Sequence, residues 1–385
     1  MKKIVSLIII IIILFAGFYV YKNKDTLFEK KNTSTKKTNK KSEIPDGIFK
    51  DYYEKAQDKV NDMSLEEKVG QLFLVRYEKN DTTYLNNFYP GGYILFAKDF
   101  NNHTKEEMKK ELSDLQKISK YPLILGVDEE GGYVTRVSRY PAFRNEKFKS
   151  PRDYYQEGGY ELVEQTEKEK ASLLKSIGLN LNLAPVADVS TNEDDFINIR
   201  TFGQDAEKTS EFVTKMVEYA NSNKINSTLK HFPGYGNNVD THTGGAIDNR
   251  EYQTFTESDY KPFEAGIKAN VPSILVSHNI VKCMDETTPS SLSSKVVGEL
   301  RNKLGFTGII MTDDLAMDAV KEYVEKETAA TMAINAGNDM IITSDFIPMK
   351  NEIIKSVKNN KISEETIDKA VTRIIAWKYY SGLIK

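Results

Sequence analysis

A few short stretches of this sequence carry side chains able to do acid–base or nucleophilic chemistry. GIIMTDD ends in Asp313 and Asp314. A carboxylate closing an apolar β-type run can serve as nucleophile or general base, or it can cap the helix that follows. Asp314, nearer the following helix, is the expected cap, and Asp313 the expected reactive group. GYGNNVDTHTGG places Asp240 two residues before His242. An imidazole of pKa near ~6.5 both gives and takes a proton at neutral pH. A neighbouring carboxylate orients the ring and raises its basicity, and the glycines let such a loop move over a ligand. The pair Lys230–His231, Asp128 with Arg136, and Arg200 supply donors and acceptors for a polar ligand. Only nine of the 53 basic residues are arginine, so an arginine inside a motif stands out. A carbohydrate suits this set, because it needs many fixed hydrogen-bonding groups rather than a single charge clamp. His278 reads as a supporting residue rather than a catalytic one.

These residues need elements that bring them to one place. Eight β-branched or aliphatic runs qualify as strands: 72–76, 92–96, 123–127, 181–185, 227–231, 273–277, 308–312 and 340–343. Helical patterns separate most of them, among them 105–119, 161–177, 209–223 and 318–336, and an amphipathic helix over 363–380 ends the chain. Ser64-Leu65-Glu66-Glu67 has capping-box spacing. Eight β-then-α units with no second-domain signature predict an α/β fold, a single (β/α)8 barrel. Such barrels build their sites from the C-terminal strand ends, and the candidate residues follow the predicted strands as that rule requires. Metal-dependent amidohydrolases also place Asp, His and Lys at strand ends. No H-x-H pair follows the first strand here, and the four histidines, 103, 231, 242 and 278, are dispersed, so no metal ligand set is expected.

The rest of the chain sets bounds. Its 385 residues hold 53 basic and 56 acidic side chains, a net charge of −3, with 39% hydrophobic residues. That balance excludes a wholly disordered chain or a multi-span membrane protein and gives no reason to expect nucleic-acid binding. One cysteine, Cys283, excludes an internal disulfide framework. Residues 4–21 form an apolar run preceded by Lys2 and Lys3, long enough to span a hydrocarbon core. No A-x-A cleavage pattern follows it, so residues 1–22 are expected to be an uncleaved signal-anchor helix rather than a cleaved signal. Residues 23–45 are rich in Lys, Thr and Asn and poor in apolar residues, and read as a solvated linker. Residues 46–385 remain for the barrel. The expected location is extracytoplasmic, at the cell membrane, with secretion after cleavage as the alternative.

The spelling of the motifs goes further. KHFPGYGNNVDTH (230–242), GVDEEGGYVTR (126–136), LNLAPVADV (181–189), NIRTFG (198–203) and GFTGIIMTDDLAM (305–317) together resemble the family 3 glycoside hydrolases, and within them the single-domain bacterial β-N-acetylglucosaminidase branch. PSSLSSKVVGELRNKLGF (289–306) and AINAGNDMI (333–341) extend the likeness, which runs from about Ser64 to the C-terminus. The resemblance implies a retaining, two-step mechanism without metal or organic cofactor. Asp313 matches the nucleophile, His242 the acid/base and Asp240 its dyad partner. Asp128, Arg136, Arg200, Lys230 and His231 match sugar-binding positions. Three positions depart from the pattern: Glu129 for Gln or His, Tyr133 for Arg, and Tyr235 for the His of PGHG. The implied substrate is a glycan with terminal N-acetylglucosamine, such as a peptidoglycan fragment. The alternatives are another β-glycosidase (a β-glucosidase, for instance) or phosphorylase of the family, or a catalytically silent glycan-binding protein.

Overall fold

In the computed structural model, residues 47–78, 82–238, 246–321, 323–324 and 326–385 are described. The apolar runs become parallel strands because both faces of each are covered. Every residue of Gly92–Leu95, Ile124–Val127, Ser273–Val276 and Met340–Thr343 is buried, the mark of a strand with helices outside and packed side chains inside. With Phe73–Arg76 as β1, these four are β2, β3, β6 and β8; Leu181–Asn182 is β4, Asn226–Phe232 β5 and Ile309–Asp314 β7. They close in the order β1-β8-β7-β6-β5-β4-β3-β2, all neighbours parallel. The (β/α)8 barrel is therefore the fold.

The differences from the sequence reading have physical causes. β4 is two residues rather than five, because Pro185 brings no N–H to the ladder. The chain keeps irregular contact there through Thr228 N to Ala184 O and Ala187 N to Lys230 O. β7 runs on to Asp314, so both aspartates belong to the strand. The expected single helix 318–336 is two pieces, Asp318–Lys321 and Lys326–Ala336. Between them Tyr323 and Val324 turn back onto Val320 and pack against the core. Packing there overrides a helical pattern.

Seven longer helices frame the site and the barrel base. Tyr53–Asn61 (α1) was not anticipated; it buries Tyr53, Ala56 and Val60 along one face. Leu65–Gln71 (α2) begins with the capping box expected from Ser64 and Glu67. Lys105–Ile118 (α3) carries a second box from Thr104. Pro151–Ser176 (α4) starts earlier than the pattern suggested and breaks at Gly158–Gly159, where Gly159 has φ of +63°. Ala206–Ser222 (α5), Phe346–Lys358 (α6) and Glu364–Tyr380 (α7) follow. The last closes the base: Trp377 is fully buried there and donates from Nε1 to Asn226 Oδ1 (2.9 Å). No helix among the described residues is long and apolar enough to cross a membrane. The apolar run 4–21 and the linker lie outside the described residues.

Candidate active site

The site is assembled from three consecutive carboxylates after β3, whose fates diverge. Asp128 stays at the mouth, accepting from Lys230 Nζ (2.7 Å) with Arg136 at 4.0 Å. Glu129 turns inward and is fully buried. It accepts from the backbone N–H of Arg136 (2.8 Å) and Val137 (2.7 Å) and from the Ser138 hydroxyl. That carboxylate shapes the loop carrying Arg136. Glu130 accepts from Arg200 through two parallel bonds, Nε to Oε2 (3.1 Å) and a terminal nitrogen to Oε1 (2.8 Å), and lies 2.6 Å from Lys230 Nζ. Burial alone would raise the Glu130 carboxyl, but Arg200 and Lys230 overcome it and hold it far below the usual range. Burial opposes charge on Arg200 as well, and Glu130 more than restores it.

His231 is fixed from both sides. Asp188 Oδ2, after β4, lies 2.8 Å from His231 Nδ1 and accepts the His231 backbone N–H (3.0 Å). Arg200 approaches Nε2 at 3.2 Å. Arginine can only donate, so Nε2 is the acceptor and Nδ1 carries the hydrogen toward Asp188. Tyr235 donates its backbone N–H to the other Asp188 oxygen (2.7 Å) and stacks edge-on against His231. Arg136 Nε is buried with no hydrogen-bond partner among the described residues.

The structure thus brings Asp128, Arg136, Arg200, Lys230 and His231 into one linked cluster. Asp313 stands on β7, diametrically across the strand order from β3. It is partly exposed, and its Oδ1 accepts the Asp314 N–H (2.8 Å). Asp314 is engaged otherwise: it accepts from Ala316 N (2.8 Å) and from the Ser344 hydroxyl (2.9 Å), and burial pushes its carboxyl up. That is the turn-capping arrangement anticipated from sequence. His278 is buried, with Nδ1 2.7 Å from Ser291 Oγ and Nε2 3.0 Å from Asp314 O, so it braces the end of β7. Asp240 and His242 lie outside the described residues. No group of three His, Cys, Asp or Glu among the described residues could hold a metal ion.

Glu130 and Asp188 are the members that the sequence reading did not single out. Their signal was position alone, each directly after a barrel strand. Residue type did not distinguish Glu130, which holds two cations, from Glu129, which holds backbone.

The sequence profile described as the glycosyl hydrolase family 3 N-terminal domain matches residues 64–377. A β-hexosaminidase of Nitrosomonas eutropha is 29% identical over 286 residues, covering 73% of this chain and 81% of that protein. A solved family 3 β-N-acetylglucosaminidase from Paenibacillus sp. superposes with a TM-score of 0.76 at 27% identity, over 83% of this chain. The chain spans 63% of that longer structure. A β-N-acetylhexosaminidase from Beutenbergia cavernae matches with a TM-score of 0.75 at 25% identity, over 83% of this chain and 99% of that one. With the profile covering most of its length and its barrel mouth built as described, the chain belongs to glycosyl hydrolase family 3.

Proposed function

We propose that the protein is a retaining exo-β-N-acetylglucosaminidase. The observation that supports this best is the cluster at the mouth. Asp128, Lys230, Glu130, Arg200 and His231 form a preorganised, mostly buried set of donors and acceptors facing the strand that carries Asp313, in a chain whose relatives are named β-hexosaminidases. Fixed groups of this kind hold a sugar without reorganising during reaction.

In the first step Asp313 attacks the anomeric carbon, and the bond to the leaving oxygen breaks as His242 delivers its proton there. Asp240 keeps the ring oriented. In the second step His242 takes a proton from water, the water oxygen bonds to the anomeric carbon, and the Asp313 ester bond breaks. This is the double displacement of retaining glycosidases, with an imidazole doing the proton transfer. No metal or organic cofactor enters it.

The substrate in this reading is a glycan with terminal N-acetylglucosamine, such as a cell-wall fragment. The enzyme acts outside the cytoplasm, tethered by residues 1–22. The test is kcat/KM for nitrophenyl N-acetyl-β-glucosaminide against nitrophenyl β-glucoside. A buried polar group left unpaired costs about 1–3 kcal/mol, so the acetamido sugar should win by roughly 10- to 100-fold or more. A preference for the glucoside moves the protein to a β-glucosidase reading. Absence of turnover on both points to a silent binder.

A further inference from the structure

A second buried ion cluster sits beside the mouth, outside the sugar-facing set, and it joins the two ends of one segment. Residues 239–245 carry Asp240 and His242. The residue entering this segment, Asn238, and the strand leaving it, Ile247–Asp248, are tied directly: Asn238 Nδ2 donates to Asp248 Oδ2 (2.8 Å) and also to Tyr235 O (2.8 Å). Arg250 then grips the return side. Its Nε and one terminal nitrogen donate to Asp248 (3.0 and 2.8 Å), and its other terminal nitrogen donates to Asp259 (3.0 Å). The first terminal nitrogen also donates to Gly234 O (3.1 Å), on the outgoing side. The guanidinium lies over the Phe255 ring at 4.4 Å. Asp248 and Asp259 are almost wholly buried.

We propose that Arg250, locked between Asp248 and Asp259, is the positioning residue that fixes both ends of segment 239–245 and thereby the acid/base pair Asp240–His242. The proposal rests on the acid/base assignment made above. Three observations carry it. First, the guanidinium bonds the outgoing chain at Gly234 and the return chain at Asp248 simultaneously, which a cluster tying helix to strand would not do. Second, it explains two glycines of the PGYG motif. A Cβ on Gly234 (φ +127°) would stand 2.2 Å from Asp259 Oδ1, and one on Gly236 (φ +56°) 2.3 Å from the Arg250 guanidinium carbon. Both glycines are there to admit the clamp. Third, the return strand is anchored independently. Ile247–Asp248 pairs in parallel with Ile280–Val281, with Lys282 N donating to Asp248 O (3.0 Å), so the clamp has a rigid support beside His278.

A charge-preserving change separates positioning from bulk stability. Arg250→Lys keeps the cation and loses the planar fork. The full chain carrying it is compared with wild type and with His242→Ala on two N-acetyl-β-glucosaminides, one with a nitrophenyl and one with an alkyl leaving group. Only the poor leaving group needs protonation on departure. The expected result is that Arg250→Lys lowers kcat on the alkyl glycoside at least tenfold more than on the nitrophenyl glycoside, in the same direction as His242→Ala and with little change in KM. Equal losses on both substrates, or none, overturn the proposal. If Arg250→Lys does not fold, Asn238→Ala, which removes only the cross-link between the two ends, is read the same way. If His242→Ala itself shows no leaving-group dependence, the acid/base assignment fails. The clamp is then judged by hydrogen exchange over residues 238–248: faster exchange in Arg250→Lys supports it, and unchanged exchange overturns it.

Discussion

The two ends of the barrel carry the same charge motif and use it differently. At the mouth, the buried carboxylate of Glu130 holds two cations, Arg200 and Lys230. At the base, the buried carboxylate of Asp339 also holds two, Arg301 and Arg373. What differs is where the remaining hydrogen-bonding capacity goes. Asp339 also accepts the Ile310 backbone N–H (2.9 Å), and Arg301 spends its other donors on the carbonyls of Phe306 and Gly308. The base cluster is thus a joint between β7, β8 and α7. At the mouth, Lys230 passes on to Asp128 and Arg200 to His231, and Arg136 lies alongside with a donor unspent. A buried ion cluster becomes a candidate site when its outer members face open space rather than backbone.

The largest expected effect lies at the mouth. Asp313→Asn should cut turnover of nitrophenyl N-acetyl-β-glucosaminide by roughly a thousandfold or more while leaving the melting temperature near wild type, because covalent catalysis needs the ionised oxygen. Near-normal activity in that variant would remove Asp313 from the mechanism.

The direct comparison pairs Glu130→Gln with Asp339→Asn. Each leaves two buried cations short of a partner, and about 3–5 kcal/mol of stability is at risk in either. Only Glu130→Gln should also lower kcat/KM per folded molecule, by roughly a hundredfold. Equal losses of activity from both ends would erase the distinction drawn here.

A third test concerns the base alone. Lys378 is fully buried, donating to Gln71 Oε1 (2.7 Å), and burial pushes its amine down to about 7 from 10.5. In the unfolded chain the amine keeps its proton up to the higher value. Between the two, the unfolded state binds more protons, so this group makes stability rise with pH from about 7 to 10.5, with its full cost present below 7. Lys378→Met should therefore raise the urea midpoint more at pH 6 than at pH 10. Identical shifts at both pH values would show that the amine is not desolvated as described.

The smallest effect is expected at Asp314. Its replacement by Ala should cost about 1–2 kcal/mol through the lost turn and Ser344 bonds, with activity falling far less than in Asp313→Asn. Thermal melts and kcat/KM on the same preparations check this.

Much of the architecture was legible before any coordinates. Continuous apolar runs separated by helical patterns determine eight buried parallel strands, because only helices on the outside and side chains on the inside can cover both faces of such a run. Strand-end placement marked Asp128, Lys230, His231 and Asp313, and Ser64 with Glu67 announced the first barrel helix. Local patterns could not tell Glu129 from Glu130, nor identify Asp188 as the orienter of His231. They also could not show that Arg250 spans from Gly234 to Asp259. Each of these depends on which distant atom lies at the far end of a side chain, and that is settled only when β3, β4 and β5 are laid side by side. The division of the expected helix 318–336 has the same origin, since Tyr323 and Val324 answer to the core rather than to helical period. Sequence fixes periodicity and chemical type; the closed barrel decides which charges meet, and which of them still face a substrate.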